Sequence, residues 1–415
     1  MIPEELKKLL YANDWKKAIA YIDSLSTTYD EEVLVELAWS CSRAEEYNRA
    51  IEIYSQLIEK NPEFAKWYYA RGYQYYMMSD WQKAIDDFSE ALRINPEYFK
   101  VKYRIAYALL KIAGDYQQWT KDAFWKAIMH LEECHKIYDS YNEQRRKEYK
   151  ATYADVCFLH GKTIMPSDKY IKKSISLLEK ANSYKNDNDY KYELAKAYYC
   201  DNQLEKALYT LPNIKKPYYI VELRAQVLTS LNRFYDSNTV LFNLINYRKK
   251  DYLYRRVSEN YLYLNDLNNA ENNAIKALSL GKGNYKNYLN YGLILKQKKQ
   301  YLQAIKNFEK ARQIKQKKFN YDCVEAIEQI EEIQSITNNN PYDEPMEDNK
   351  LGGLGVVEKY NSNRGFGFIK DSNSLDSLFF HVSDFTGNTI RQGDAVKYSI
   401  ETGPKGKKAV NIILV

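Results

Sequence analysis

The sequence lacks what a membrane span, a disulfide framework or an active site would require. No apolar run approaches the roughly 20 residues of a spanning helix, and Met1-Ile2-Pro3-Glu4-Glu5 begins no secretory leader. Both absences lead to the expectation of a cytoplasmic protein with no membrane partner. Cysteine is scarce. Cys41, Cys134, Cys157, Cys200 and Cys323 are odd in number and far apart, which fits small buried side chains in a reducing compartment better than bridges. Metal-ligand spacing is missing too. His130, Cys134 and His135 come nearest, but Cys134 falls where the helical pattern wants a small core residue, so no metal is expected. A phosphate-cradling glycine loop with its lysine is absent, as is a nucleophile elbow. The expectation is a chain that is not an enzyme and carries no cofactor. Charge of one sign is also weak. The formal net charge is +6 over 415 residues, too little to indicate a nucleic-acid partner on its own.

What the chain does have is repetition, over residues 1–336. The small residues Ala50 and Ala84 stand 34 apart, as do Ala270 and Ala304. The same offset relates Tyr54 to Phe88 and Pro62 to Pro96. In the clearest unit Gly72 and Ala84 let two helices approach, Phe88 and Ala91 fill the gap, and Asn95-Pro96 ends the second helix. Weaker copies align on Ala18, Ala127, Ser174, Ala207 and Ser237, for about nine helix pairs in all. Longer spacings fall around Gly114–Trp119 and Thr163–Ser167, read as lengthened loops or helix ends, and Tyr321 to Ile336 reads as a capping helix.

A period of 34 with a small residue, an aromatic and then proline resembles the tetratricopeptide repeat. The resemblance implies a solenoid whose first helices line an inner face that takes a protein or peptide. Helical spacing places Lys66, Tyr69, Tyr73 and Tyr76 on one stripe, with Lys100, Tyr103 and Tyr107 in register on the next repeat. Such a tyrosine stripe either forms a contact surface or packs between neighbouring repeats. It gives Lys66, Tyr69, Tyr73, Tyr76, Tyr103 and Tyr107 as candidate partner-binding residues. The Lys-and-Asn set with which some relatives clamp a C-terminal carboxylate is not visible.

Residues 337–350 carry one lysine against four acids, and two prolines. They read as an acidic, flexible linker that lets 351–415 move against the solenoid. Strand patterns follow. In Arg364-Gly365-Phe366-Gly367-Phe368-Ile369 the alternation of a strand puts Phe366 and Phe368 on one face. In Leu378-Phe379-Phe380-His381 it puts Phe379 and His381 together, with Leu378 and Phe380 opposite. Two adjacent strands would then present Phe, Phe, Phe and His on one surface. Gly365 and Gly367 would let a flat ligand lie close to the backbone, and Tyr360 would extend the platform. Bases stack on such surfaces at roughly 1–3 kcal/mol each. Lys359, Arg364, Lys370, Lys405, Lys407 and Lys408 would steer phosphates.

These stretches, with Gly355-Val356-Val357, Tyr360-Asn361 and Gly403-Pro404-Lys405-Gly406, resemble the cold-shock domain family from about Leu354 to Val415. The resemblance implies a five-stranded barrel of the oligonucleotide-binding type that holds single-stranded RNA or DNA. It also marks departures. The family usually has Trp at Lys359, Lys at Glu358 and Phe at Val382. The fold expected for the whole chain is therefore multidomain, an all-α solenoid followed by a small all-β barrel. The function expected is a nucleic-acid-binding adaptor in RNA metabolism or gene regulation. A protein-interaction scaffold whose barrel no longer binds nucleic acid is the alternative.

Overall fold

The computed structural model describes residues 2–25, 30–115, 121–214, 216–339, 353–362, 364–372, 374, 376–387, 389–403 and 406–415. Among them are nineteen α-helices and five strands. The first unit, Met1–Gln203, holds α1 (Glu4–Tyr11), α2 (Trp15–Ser24), α3 (Glu31–Arg43), α4 (Tyr47–Lys60), α5 (Ala65–Met77) and α6 (Trp81–Ile94). It continues with α7 (Phe99–Asp115), α8 (Lys121–Ser140), α9 (Glu143–Ile164), α10 (Ile171–Tyr184) and α11 (Asn188–Cys200). The second unit, Leu204–Val415, begins with α12 (Leu204–Thr210), α13 (Tyr218–Ser230), α14 (Phe234–Ile245), α15 (Asp251–Tyr263) and α16 (Leu267–Leu280). Then come α17 (Tyr285–Gln297), α18 (Tyr301–Phe319) and the capping helix α19 (Val324–Asn339).

The repeat read from the sequence is the repeat of the structure. Each of the nine small residues used to align it lies in an even-numbered helix from α2 to α18, and each is fully buried. Two facing helices carry a matching steric requirement. A Cβ added to Gly72 would sit 2.9 Å from the Phe88 ring, and one on Gly292 would sit 2.5 Å from that of Phe308. Phe88 and Phe308 are four residues past Ala84 and Ala304, on the same helix stripe, and both are buried.

Seven of the turns within pairs share one geometry. Asn13, Glu45, Ser79, Asn202, Asn232, Asn265 and Lys299 all have positive φ, between 56° and 65°. Each follows a helix, and the next residue's N–H bonds five residues back, as Asp80 does to the Tyr75 carbonyl at 2.9 Å and Asp266 to that of Tyr261 at 2.9 Å. This is the Schellman ending. The residue that completes it also starts the next helix: the Asp14, Asp80 and Asp266 carboxylates accept from the N–H groups of Lys17, Lys83 and Asn269. One short turn thus closes one helix and opens another.

The strands β1 (Gly353–Asn361), β2 (Phe366–Asp371), β3 (Ser377–His381), β4 (Ala395–Gly403) and β5 (Gly406–Leu414) close into a barrel in the order β1-β2-β3-β5-β4. All ladders are antiparallel except β3 with β5. Val357, Ile369, Leu378, Phe380, Val396, Tyr398, Ala409 and Ile412 fill its interior. The stretch 337–350, expected to be a linker, overlaps α19 as far as Asn339 and from 340 lies outside the described residues. The barrel packs on α16. Leu354, Val356, Ala395 and Val415 join the apolar cluster that contains Ala270, Ala274 and Tyr291. The Asn272 amide also donates to the Val415 carbonyl at 2.9 Å.

Candidate nucleic-acid interface

Register sets the outer face of β1, β2 and β3. Phe366 pairs with Asn361 and His381, and Phe368 with Lys359 and Phe379. Lys370 pairs with Ser377. Cross-strand partners share a face, so this surface reads in three rows. The rings touch: Phe366 lies 5.8 Å from Phe379 between centroids, and Phe368 lies 5.9 Å from Phe379, edge to face. Phe368 is 36% exposed and Phe379 40%, while the barrel interior is complete without them. His381 is exposed. Its Nδ1 accepts from the Ser383 N–H at 3.3 Å and lies 2.8 Å from the Ser383 hydroxyl. In the neutral ring the proton then sits on Nε2, leaving a donor at the platform edge.

Three expectations are corrected here. Tyr360 pairs with Gly367 and stacks on buried Phe380 at 5.9 Å, so it belongs to the interior and not to the platform. The cause is a β-bulge between Val357 and Lys359. The extra residue, Glu358, reverses the alternation beyond it. Nor is Gly367 small for a ligand's sake. A Cβ there would lie 2.3 Å from the Lys359 carbonyl oxygen and 2.6 Å from the Phe380 ring. Gly365 is set by its φ of 66° in the turn, a conformation glycine adopts at little cost.

The basic candidates divide. Lys359 is exposed in the row of Phe368, and Arg364 is exposed in the β1–β2 turn. Lys370 bonds the Glu358 carboxylate at 3.2 Å, and Ser377 donates to the same group at 2.7 Å. The Ser377 hydroxyl, then Lys370, hold Glu358 below the ordinary carboxylate range. Lys408 pairs with Glu401 at 2.8 Å. Lys407 is exposed, and Lys405 lies outside the described residues.

The tyrosines of the solenoid are brought together, but differently. Tyr69, Tyr73 and Tyr76 are half-buried and lie in a chain, 6.3 Å and 5.9 Å apart, which Tyr76 continues to Tyr107 at 5.4 Å. At its centre is Arg104, whose guanidinium sits 4.8 Å from the Tyr76 ring, 5.1 Å from Tyr73 and 5.5 Å from Tyr103. These are cation–π distances. Burial raises the Tyr69 phenol above its ordinary pKa, and Arg104 works against that shift. Lys66 stands apart, exposed above Phe64.

Comparison with known proteins bears on both regions. The family described as 'Cold-shock' DNA-binding domain matches residues 354–415, and the tetratricopeptide repeat family matches residues 65–98. Cold shock-like protein CspB of Yersinia pestis is 40% identical over 68 residues, 16% of this chain and 94% of that protein. The chain belongs to the cold-shock domain family. A second cold-shock relative, CspJ of Salmonella typhimurium, is 37% identical over 62 residues, 14% of this chain and 89% of its own length. Among solved structures, YrrB, a tetratricopeptide repeat protein with an unusual peptide-binding site, aligns at a TM-score of 0.35 and 18% identity. It covers 53% of this chain and 97% of its own. MamA of Desulfovibrio magneticus aligns at 0.36 and 15%, over 40% and 97%.

The cold-shock platform carries two residues that sequence reasoning did not place there, Glu358 and Ser377. Ser377 was within reach, because it stands two residues before Phe379 on the same strand. Glu358 was not, because nothing local announces the bulge. Of the family's ring positions, Lys359 leaves a cation beside Phe368. The other, Val382, is 38% exposed and borders the turn at Gly365. Among the described residues no group of three or more metal-ligating side chains occurs, and no helix is long and apolar enough to cross a membrane.

Proposed function

We propose that the chain is a non-enzymatic adaptor. Its cold-shock domain binds single-stranded nucleic acid, with RNA preferred, by stacking bases on Phe366, Phe368 and Phe379. His381 supplies an edge donor, and Lys359, Arg364 and Lys407 attract the backbone. The solenoid holds a protein partner, and the setting is RNA metabolism or gene regulation. One observation carries the nucleic-acid half of this reading. Three phenylalanines lie together on the outer face of a barrel whose interior is already filled. Contiguous exposed rings that serve no core are a mark of a binding surface.

The test is a titration of the full chain with fluorescent oligouridylate and oligothymidylate at several salt concentrations. Saturable binding that weakens as salt rises is expected. Absence of binding at every salt concentration would establish the other reading, a scaffold whose barrel has lost its ligand, for which Lys359 and Val382 in place of rings are the supporting observation.

A further inference from the structure

The first helices of two successive pairs, α5 and α7, are almost without acid. Helix α5 has none, and α7 has only Asp115, at its end. Their cations divide by partner. Arg71 pairs with Asp87 at 2.7 Å, and Lys102 pairs with Glu133. Among the described residues Lys100, Arg104 and Lys111 form no ion pair. Each is held over a ring instead. The Lys100 ammonium lies 5.4 Å from the Tyr149 ring of α9, and that of Lys111 lies 5.5 Å from the Tyr107 ring. The Arg104 guanidinium lies 4.8 Å from the Tyr76 ring and 5.1 Å from the Tyr73 ring, both of α5.

Positions 100, 104, 107 and 111 follow the spacing of a single helix stripe. Lys100 and Lys111 are exposed at its ends, with Arg104 and Tyr107 half-buried between them. The rings that its cations touch come from α5 and from α9, so α7 shares this surface with the first helices before and after it. The ligand it suits follows from which groups are free. A base stacks on an open ring face. Here Tyr73 and Tyr76 stack on each other at 5.9 Å, Arg104 lies over both, and lysines lie over Tyr107 and Tyr149. A carboxylate needs only the N–H donors of the cations, and a guanidinium offers it a planar pair. Lys100 and Arg104 are about 6 Å apart along the helix axis. Alternate side chains of an extended peptide are about 7 Å apart, so two carboxylates on one face of such a peptide meet both cations.

We propose that the stripe of Lys100, Arg104, Tyr107 and Lys111 is where the solenoid takes its protein partner, and that the partner presents an internal, extended segment with acidic residues at alternate positions. Its carboxylates supply the counter-charges that the chain itself does not, and the tyrosines hold the cations in place for them. This rests on the reading of the solenoid as the part that holds a protein partner.

The probe is an octapeptide of alternating Asp and Ala with both ends blocked, so that no terminal carboxylate contributes. It is titrated into the full chain by fluorescence anisotropy, beside its Asn–Ala and Lys–Ala counterparts. The Asp peptide alone is expected to bind, and to bind less tightly as salt rises. Arg104→Gln should weaken it at least about tenfold, and Arg104→Lys by less. Because Arg104 also packs among rings, the exposed pair Lys100→Gln/Lys111→Gln serves as a second variant. It should lose about threefold to tenfold with an unchanged melting temperature. Lys317→Gln/Lys318→Gln removes the same charge from α18 and should bind as the wild type does. An equal loss in the two lysine pairs would overturn the stripe in favour of net charge, and wild-type affinity in all the α7 variants would overturn it outright. Binding of the Asn or the Lys peptide as tightly as the Asp peptide would overturn the acidic partner and leave a protein partner in place. Binding of none of the three would overturn this proposal together with the partner reading. Displacement of the Asp peptide by oligouridylate from the Phe366→Ala/Phe368→Ala chain would put nucleic acid on the stripe in place of a protein.

Discussion

Two surfaces of this molecule are rich in aromatic residues, and they are built on opposite principles. On the barrel, Phe366, Phe368 and Phe379 lie on strands, where alternate residues face opposite ways. The interior is closed by Ile369, Leu378 and Phe380, so the outer rings are surplus to folding. On the solenoid, Tyr69, Tyr73, Tyr76 and Tyr107 lie on helices, where a stripe is wide enough to serve a neighbouring repeat and the solvent at once. There the rings stack on one another and around Arg104. A cluster of rings thus means open surface in one region and half-buried packing between repeats in the other. The difference lies in the periodicity of the backbone.

The largest expected effect would break this contrast if it failed to appear. Replacing Tyr69, Tyr73 and Tyr107 together by Ser should cost about 3–5 kcal/mol of stability, since half-buried rings lose both burial and ring contacts. Urea unfolding of the full chain measures it. A change under about 1 kcal/mol, with loss of a captured protein partner, would return the stripe to the role of an open contact surface.

The barrel should behave the other way. Phe366→Ala with Phe368→Ala should weaken oligonucleotide binding at least about tenfold, about 1.4 kcal/mol, and leave the circular dichroism spectrum and melting temperature nearly unchanged. Wild-type affinity in that folded variant would remove stacking as the mechanism.

Histidines sharpen the comparison. On the barrel His381 is exposed, whereas in the solenoid His135 and His160 are packed together, Nε2 to Nδ1 at 3.0 Å, with Tyr153 bonded to His135 at 2.8 Å. Burial, then Lys180, brings the His135 pKa down to about 4. Burial, then His135, brings that of His160 down to about 3, both from 6.5. Lowered folded values mean that the unfolded chain takes up protons first as pH falls. Their contribution is intact above about pH 6.5 and is lost towards pH 3–4, by up to about 1.4 kcal/mol per pH unit for each ring. Unfolding midpoints measured from pH 8 to pH 4.5 should fall accordingly, and His160→Gln should flatten the slope. A midpoint independent of pH would show that these rings take up protons as readily in the fold as in the unfolded chain.

The smallest effect concerns Lys359. Replacing it by Trp should add a ring beside Phe368 and strengthen binding to pyrimidine-rich strands several-fold, about 1 kcal/mol. Isothermal titration would resolve it, and weaker binding would show that the lysine's charge matters more than a fourth ring.

How far the sequence could be read follows the same division. The solenoid was legible because burial of a small residue recurs, at two places with the same spacing of 34, and Ala18 through Ala304 all proved to be in the second helix of a pair. The platform was legible because alternation assigns Phe366, Phe368, Phe379 and His381 to one face without reference to the rest of the fold. Tyr360 was misplaced because a one-residue bulge is a property of the paired strands, not of either alone. Arg104 escaped notice because its partners come from two helices, α5 and α7.

The turns within helix pairs bear on how such a chain can vary over generations. Seven of them resolve their geometry within about six residues, through a left-handed residue and a bond five positions back. The corner of a pair is therefore independent of the length of the helices that meet there. A limb can therefore lengthen without retuning such a corner, and the two longest helices among the described residues, α8 and α9 at 20 and 22 residues, lie in pairs outside these seven.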